Sequence, residues 1–377
     1  MKIGIVCYPT FGGSGVVATE LGLGLADKGH QVHFITYKRP VRLTNFHSNA
    51  YFHEVTPPSY PLFEFTPYET ALASKMADVV KFEQLDLLHV HYAIPHAAVA
   101  FMTKQILLSQ GIRIPFITTL HGTDITLVGI DGTFAPVVEF SINNSDGVTA
   151  VSQHLKSETM SSFNITREID VIYNFIDFKR FKKTNKDHFK KAIAPDGEKI
   201  IVHISNFRKV KRVEDVIEVF RLIRQKMDAK LLLIGDGPER KFMEDLCRTL
   251  NLCEHIRFLG KQEAVEEILA VADLFLLPSE SESFGLAALE AMACEVPVVS
   301  SNAGGLPEVN VQGVTGFLRE IGDTKGMADD CLTILSDEKT HKAFSKNAFK
   351  HAHNFDIAGI LPKYEALYQR VLAQSLV

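Results

Sequence analysis

No stretch of the chain reaches the ~18 consecutive apolar residues that a membrane span requires, so the sequence reads as that of a soluble protein without a membrane partner. Charge of one sign is also lacking. Forty Lys and Arg stand against 45 Asp and Glu, a formal net charge of −5. That balance gives no footing to nucleic acid as a partner, and the basic run Lys209–Arg212 is too short to alter it. Cysteine is scarce: five residues, an odd number, with no CxxC spacing. Neither a disulfide framework nor a zinc ribbon is indicated, and reduced thiols in a cytoplasmic protein are expected. The opening "MKIGIVCYP" lacks the apolar core of a signal peptide and reads as a strand.

What is present is an α/β rhythm. With 377 residues, 46% hydrophobic and 23% charged, the chain is the right size for two globular domains. Short apolar runs such as "KIGIVCY", "HQVHFITY", "LDLLHVHY" and "PFITTLHG" alternate with helical patterns such as "GVVATELGLGLADKG". That is the βαβ pattern of a parallel sheet covered on both faces. A polar, Lys-rich interval from Asn174 to Glu198 interrupts it, and the rhythm restarts at "KIIVHIS" and runs to "VPVVSS". Two doubly wound domains are expected, residues 1–176 and 177–355, with a helix over 356–377 packing back on the first. Ligands of such folds bind at the carboxyl ends of the strands, so a cleft between facing domains is the expected site.

Four stretches carry candidate chemistry. In "GGSG" (Gly12–Gly15), Gly13-x-Gly15-x-x-Ala18 fits a dinucleotide fingerprint. However, Pro9-Thr10-Phe11 separate it from its strand, and "FITYKRP" offers no acid for a ribose. A 2′-phosphate on Lys38 and Arg39 would rescue an NADP reading. The simpler alternatives are an anion at a helix N-terminus and a plain tight turn. "SNFRKVKR" places Arg208, Lys211 and Arg212 directly after a strand, where cations suit a diphosphate; a solvated charge run is the rival. His89, His91 and His96 lack a carboxylate or cysteine to complete a tetrahedral zinc set. His121 ends the strand in "TTLHGTD" and either contacts a sugar or serves structure. Last, "ESESFGLAALEA" holds Glu282 and Glu290 eight residues apart around a helix start, a span of about 12 Å if wholly helical, on the scale of a nucleotide sugar.

"PSESESFGLAALEAMACEVPVV", "GGSG" and "AGGLPEV" together resemble the retaining glycosyltransferases of the GT4 type, over nearly the whole chain. The resemblance implies a GT-B fold of two Rossmann-like domains, a nucleoside-diphosphate sugar donor and no metal. The absence of an Asp-x-Asp motif agrees. It further implies that Glu290 holds the ribose and that Glu282 holds the donor sugar. Phe284, Gly285 and Leu286 would offer backbone N–H groups to sugar and phosphate. Gly15 would approach the β-phosphate, His121 the sugar's O6 side, Lys211 the diphosphate, and Gln262 the base. The catalytic pair would be His121 and Glu282. One departure stands out: Asn206 occupies the place of the family's phosphate-binding Arg, and Arg208 is the candidate replacement.

"RLTNFHSNAYFHEV", "YPLFEFTPYETALASKMADV" and "SNFRKVKRVEDV" resemble the family members that start bacillithiol synthesis. This implies transfer of GlcNAc from UDP-GlcNAc to the hydroxyl of L-malate. Ser14, Arg42, Tyr92 and Thr119 are the candidate acceptor residues, with Arg42 expected to supply a free guanidinium. Three other readings stay open: a family member with a different acceptor, a UDP-GlcNAc epimerase, and a sugar-nucleotide sensor without turnover. Homo-oligomerisation is also left open.

Overall fold

Two parallel sheets, each built in the same strand order, organise the protein. The computed structural model describes residues 1–10, 12–57, 65–127, 129 and 131–375. The first sheet comprises β1 (Lys2–Val6), β2 (Gln31–Thr36), β3 (Ala50–Glu54), β4 (Leu87–His91), β5 (Phe116–Leu120), β6 (Gly147–Ala150) and β7 (Ile169–Val171). Its strands lie in the order 3-2-1-4-5-6-7. The second comprises β8 (Lys199–Ile204), β9 (Ala229–Ile234), β10 (Ile256–Gly260), β11 (Leu274–Leu277), β12 (Val298–Ser301) and β13 (Gly316–Arg319). Its order, 10-9-8-11-12-13, repeats the same winding. In each sheet the direction of winding reverses beside the first strand, between β1 and β4 and between β8 and β11. These are the doubly wound Rossmann-like halves expected from the sequence.

The chain divides into two units, Met1–Asn174 with Ile357–Val377, and Phe175–Asp356. Each has its own core because its strands carry apolar residues on both faces. β4 and β5 are buried at every residue. The helix Val213–Arg224 shows the complementary pattern: Val213, Val216, Ile217, Phe220 and Ile223 recur at helical spacing and are buried against the second sheet. Among the described residues no helix is long and apolar enough to cross a membrane. All five cysteines are free, and all but Cys253 are buried.

β3 and β13 do not stand out in the sequence. β3 is an edge strand, and none of its five residues is fully buried, so it lacks the apolar signature of its neighbours. β13, also at an edge, is only four residues long.

The terminal helix Ile357–Ser375 closes the first unit. Leu361 packs on Gly24, and Leu367 and Val371 pack on Gly147, where small residues admit them. Beneath it lies a buried polar network. His89 Nδ1 pairs with Tyr368 Oη at 2.8 Å and His89 Nε2 with Thr119 Oγ1 at 2.7 Å. Thr119 Oγ1 also meets Thr149 Oγ1 at 2.7 Å. His91 Nδ1 pairs with His121 Nε2 at 2.8 Å, and His96 Nδ1 donates to the His91 carbonyl at 2.6 Å. Burial pushes His89 and His121 down to about 3 and His96 to about 4, and lowers His91 strongly. All four imidazoles are therefore neutral at ordinary pH.

Two expectations follow from this network. Tyr368→Phe leaves His89 Nδ1 without its partner in a fully buried site, at a cost of about 1–3 kcal/mol. Denaturant melts read this as a lower midpoint with an unchanged slope; an unaltered midpoint would mean that the bond adds nothing. Acid is the second lever. Unfolded imidazoles bind protons below about 6.5, while His89 and His121 in the fold resist protonation until about 3. In that window the unfolded chain holds more protons, so stability is full above about pH 6.5 and falls as pH drops toward 3. Calorimetric scans should show the melting temperature falling between about pH 7 and about pH 5; a flat profile contradicts neutral burial of these rings.

Candidate active site

The loops leaving β8 and β11 meet where the second sheet reverses its winding. After β8 the chain turns sharply: Phe207 and Arg212 both adopt positive φ, 37° and 47°. This geometry brings Lys211 back toward the loop after β11. Lys211 Nζ donates to Glu282 Oε1 at 2.6 Å, and Ser279 Oγ donates to the same oxygen at 2.9 Å. The backbone clamps the two loops as well, with Glu280 N donating to Val210 O at 2.8 Å. Two donor-site candidates far apart in sequence are thus paired directly. The pair is largely sheltered, with side chains 19% and 16% exposed, so deleting either partner strands a charge that water screens poorly.

Glu282 is held from the other side by "AGG". Gly305 N donates to Glu282 O at 2.7 Å. A Cβ on Gly304 would lie 2.0 Å from that carbonyl oxygen, so only glycine fits there. The helix itself runs Leu286–Ala293, with Gly285 as its N-cap at φ 98°. Glu282 therefore lies outside the helix, and only the five residues from Leu286 to Glu290 are helical. The four steps between these residues contribute about 6 Å of rise, so the 12 Å estimate for a wholly helical span does not apply. Phe284 is buried and stacks edge-on against Phe355, with centroids 5.5 Å apart. Glu290 is buried on the helix.

Asn206 follows β8 closely, and its carbonyl abuts Gly237. Arg208 is the N-cap of the short 3-10 turn Lys209–Lys211, placing it one turn from Lys211. Gln262, in the exposed loop after β10, donates from its amide to Leu259 O at 2.6 Å.

In the first unit the loops after β1, β4 and β5 converge. The helix Gly13–Asp27 begins with the glycine-rich turn. A Cβ on Gly15 would fall 2.5 Å from both Tyr8 O and Thr10 O, so this glycine is demanded by the protein's own backbone. Tyr92 Oη donates to Ser14 Oγ at 2.8 Å. The Tyr92 ring lies 5.2 Å from that of His121 and 5.5 Å from that of Tyr8. Ser14, Tyr92 and His121 thus form one cluster. Asp124 sits below it, accepting from Ala93 N at 2.7 Å and Gly122 N at 3.1 Å. Burial outweighs these bonds and raises its carboxyl to about 6.

Two acceptor assignments need correction. Thr119 is fully buried, and its hydroxyl is engaged by His89 and Thr149. It belongs to the sheet interior because its side chain falls on the face that the terminal helix covers. Arg42 is not a free guanidinium: its Nη1 donates to Glu20 in an ion pair with both side chains mostly buried. Glu20, in the middle of the first helix, gives no sequence signal of this partnership.

Other residues at these sites escaped the sequence reading. Ser279 shares Glu282's oxygen, and Ser205 Oγ pairs with His203 Nε2 at 2.8 Å. Serine is too common at strand ends to stand out. Asp124, three residues after His121 in "HGTD", had the better signal: an acid close to a strand-end histidine.

The model for Glycosyltransferase Family 4 matches residues 11–180, and that for Glycosyl transferases group 1 matches residues 184–351. The N-acetyl-alpha-D-glucosaminyl L-malate synthase of Bacillus anthracis is 50% identical over 374 residues, covering 99% of this chain and 97% of that protein. Among solved structures, Anabaena HepE in complex with UDP and glucose superposes with a TM-score of 0.83 at 21% identity, covering 98% of this chain and 99% of that one. Sucrose-phosphate synthase from Thermosynechococcus elongatus gives 0.82 at 21%, covering 99% and 100%. Such distant structures speak for the fold, which is GT-B. The half-identical relative, aligned almost end to end, speaks for the lineage: this chain belongs to the family 4 glycosyltransferases.

Proposed function

We propose that the enzyme transfers GlcNAc from UDP-GlcNAc to the hydroxyl of L-malate, with retention at the anomeric carbon. The observation that carries this reading is the 50% identity, across 99% of the chain, to a protein named for that product.

The donor would lie along the carboxyl edge of the second sheet. Glu290, buried on its helix, accepts the ribose hydroxyls. The backbone N–H groups of Phe284, Gly285 and Leu286 lie at that helix's N-terminus, where unpaired donors and the dipole favour phosphate. Lys211 supplies the positive charge, shared between Glu282 and the diphosphate, and Arg208 adds a second cation where Asn206 has none. Glu282, fixed by Lys211, Ser279 and Gly305, accepts from the sugar hydroxyls. The role of Gln262 is to meet the base.

Retention needs the acceptor to attack from the face that UDP leaves. The malate hydroxyl oxygen bonds to the anomeric carbon as its bond to the β-phosphate oxygen breaks. The hydroxyl proton passes to that phosphate oxygen. The protein's share is alignment and stabilisation of charge on the departing UDP. His121 suits this chemistry as a neutral ring, since an imidazolium beside an oxocarbenium-like carbon would oppose the charge forming there. No step requires a metal. The acceptor's carboxylates would meet Ser14, Tyr92 and the N-terminus of the first helix.

Product analysis by mass spectrometry, with UDP-GlcNAc and a panel of hydroxy acids, tests the whole reading. L-malate should be glycosylated as the α-anomer, and malate diamide should be a very poor acceptor. Equal use of the diamide sinks the anionic pocket, and conversion of UDP-GlcNAc without any acceptor favours an epimerase. Separately, Lys211→Ala should cost about tenfold or more in UDP affinity, the scale of a lost charged bond of ~1.5–3 kcal/mol, while uridine affinity changes little. Equal losses for both ligands would move Lys211 away from the phosphates.

A further inference from the structure

The outer edge of the first sheet carries a cluster that the transfer reaction does not use. His33 lies in β2 and His53 in edge strand β3. The register pairs His33 with Tyr51 and Ile35 with His53, so both imidazoles project from the same face of the sheet, two residues apart. The helix Tyr68–Glu83 packs on that face and ends there, with Glu83 as its last residue. Lys2, at the amino-terminal start of β1, donates from Nζ to the Glu83 carbonyl at 2.8 Å. Glu83 and Lys2 lie at the amino ends of the strands, while His33 and His53 lie along β2 and β3, so the cluster occupies the β3 edge of the sheet, whereas Ser14, Tyr92 and His121 follow β1, β4 and β5 nearer its centre.

We propose that His33, His53 and Glu83 form a zinc site that clamps the edge strand β3 to β2 and to the end of the neighbouring helix. One ligand atom from each residue lies within 4.8 Å of the other two. His33 Nδ1 and His53 Nε2 face each other at 2.9 Å. Zinc bonds of about 2.0–2.2 Å in a tetrahedral arrangement separate adjacent ligand atoms by roughly 3.3–3.6 Å. Opening the two nitrogens by about half an ångström, within reach of small side-chain rotations, admits the ion. Two imidazoles and one carboxylate are a ligand set zinc accepts, with water in the fourth position. His53 and Glu83 are both partly exposed, which supplies an entry path and room for that water.

The rings are already oriented. His33 stacks on Tyr51 with centroids 4.7 Å apart and on His53 at 5.2 Å, with planes 18° and 19° from parallel. Its Nε2 is buried without a partner, so Nδ1 is the atom left for the site. Burial lowers the pKa of His33 to about 4 and that of His53 below its usual value. Both rings are thus neutral at neutral pH, and the proton shared between the facing nitrogens moves to Nδ1 of His53 when zinc takes its place. The surrounding charge is mixed. Glu83 attracts a cation, while Lys2 acts against it at His33 and Lys75 at His53. The site should therefore be weaker than one with several anionic ligands, and selective for an ion that favours nitrogen.

The test uses the full chain, stripped with a chelator that is then removed, and titrated with ZnCl₂ by calorimetry and with CoCl₂ by visible absorption. One ion per chain should bind, the cobalt spectrum should show tetrahedral nitrogen ligation, and zinc should raise the melting temperature. Transferase turnover should be unchanged, because the cluster is at the β3 edge of the sheet and shares no residue with the loops after β1, β4 and β5. His53→Ala and Glu83→Gln should each weaken zinc binding by at least about tenfold. Glu83→Gln, a near-isosteric change on a partly exposed side chain, keeps the test valid if His53→Ala disturbs β3. Absence of saturable binding, or affinity unaltered in both variants, would overturn the proposal.

Discussion

Every strand in both sheets runs in the same direction, and that single constraint dictates where chemistry can occur. Parallel pairing aligns all the carboxyl ends along one edge of each sheet. The reversal of winding beside β1 and β8 keeps neighbouring loops from closing over each other at that point. The turns that matter, Tyr8 to Thr10, Gly12 to Gly15 and Tyr92 within the first unit, and separately Ser205 to Arg212 and Ser279 to Gly285 within the second, emerge beside the reversal of their own sheet. Nothing in their composition marks them as neighbours. The sheets make them so.

Placing charge there carries a cost that the second unit offsets locally. Lys211 and Glu282 hold each other, and Arg212 is tied to Asp215 at 2.6 Å. A basic loop of this kind would otherwise repel itself in a partly dry environment. A pre-paired lysine is also held in place before any anion arrives, so less side-chain freedom remains to be lost on binding. The first unit takes a different course at His121, where burial removes charge altogether. One unit thus pairs its cations, and the other keeps its rings neutral.

Much of this architecture was legible in the sequence, because buried parallel strands write continuous apolar runs such as "KIIVHI" and "LFLL". The two-unit plan, the glycine-rich turn, the Glu282–Glu290 block and Lys211 all carry local signatures. What stayed hidden depends on contacts between distant segments. β3 reads as polar because an edge strand needs little apolar surface. Arg42 looks available until Glu20, on another element, is seen beside it. Thr119 looks like a strand-end hydroxyl until the sheet turns it inward toward His89. Pairings of this sort leave no trace in spacing, since the chain reaches them through tertiary structure.

The terminal helix has a consequence for how the molecule is made. The first unit begins at residue 1 yet lacks its cover until Ile357–Ser375 arrives, after the whole of the second unit has been synthesised. During translation His89 must wait for Tyr368, and the small-residue shelves at Gly24 and Gly147 stay bare. Domains normally fold in order as they leave the ribosome. Here the second unit can mature first, and the first unit becomes native only once Ile357–Ser375 has been made. Until then the first unit is the more vulnerable of the two.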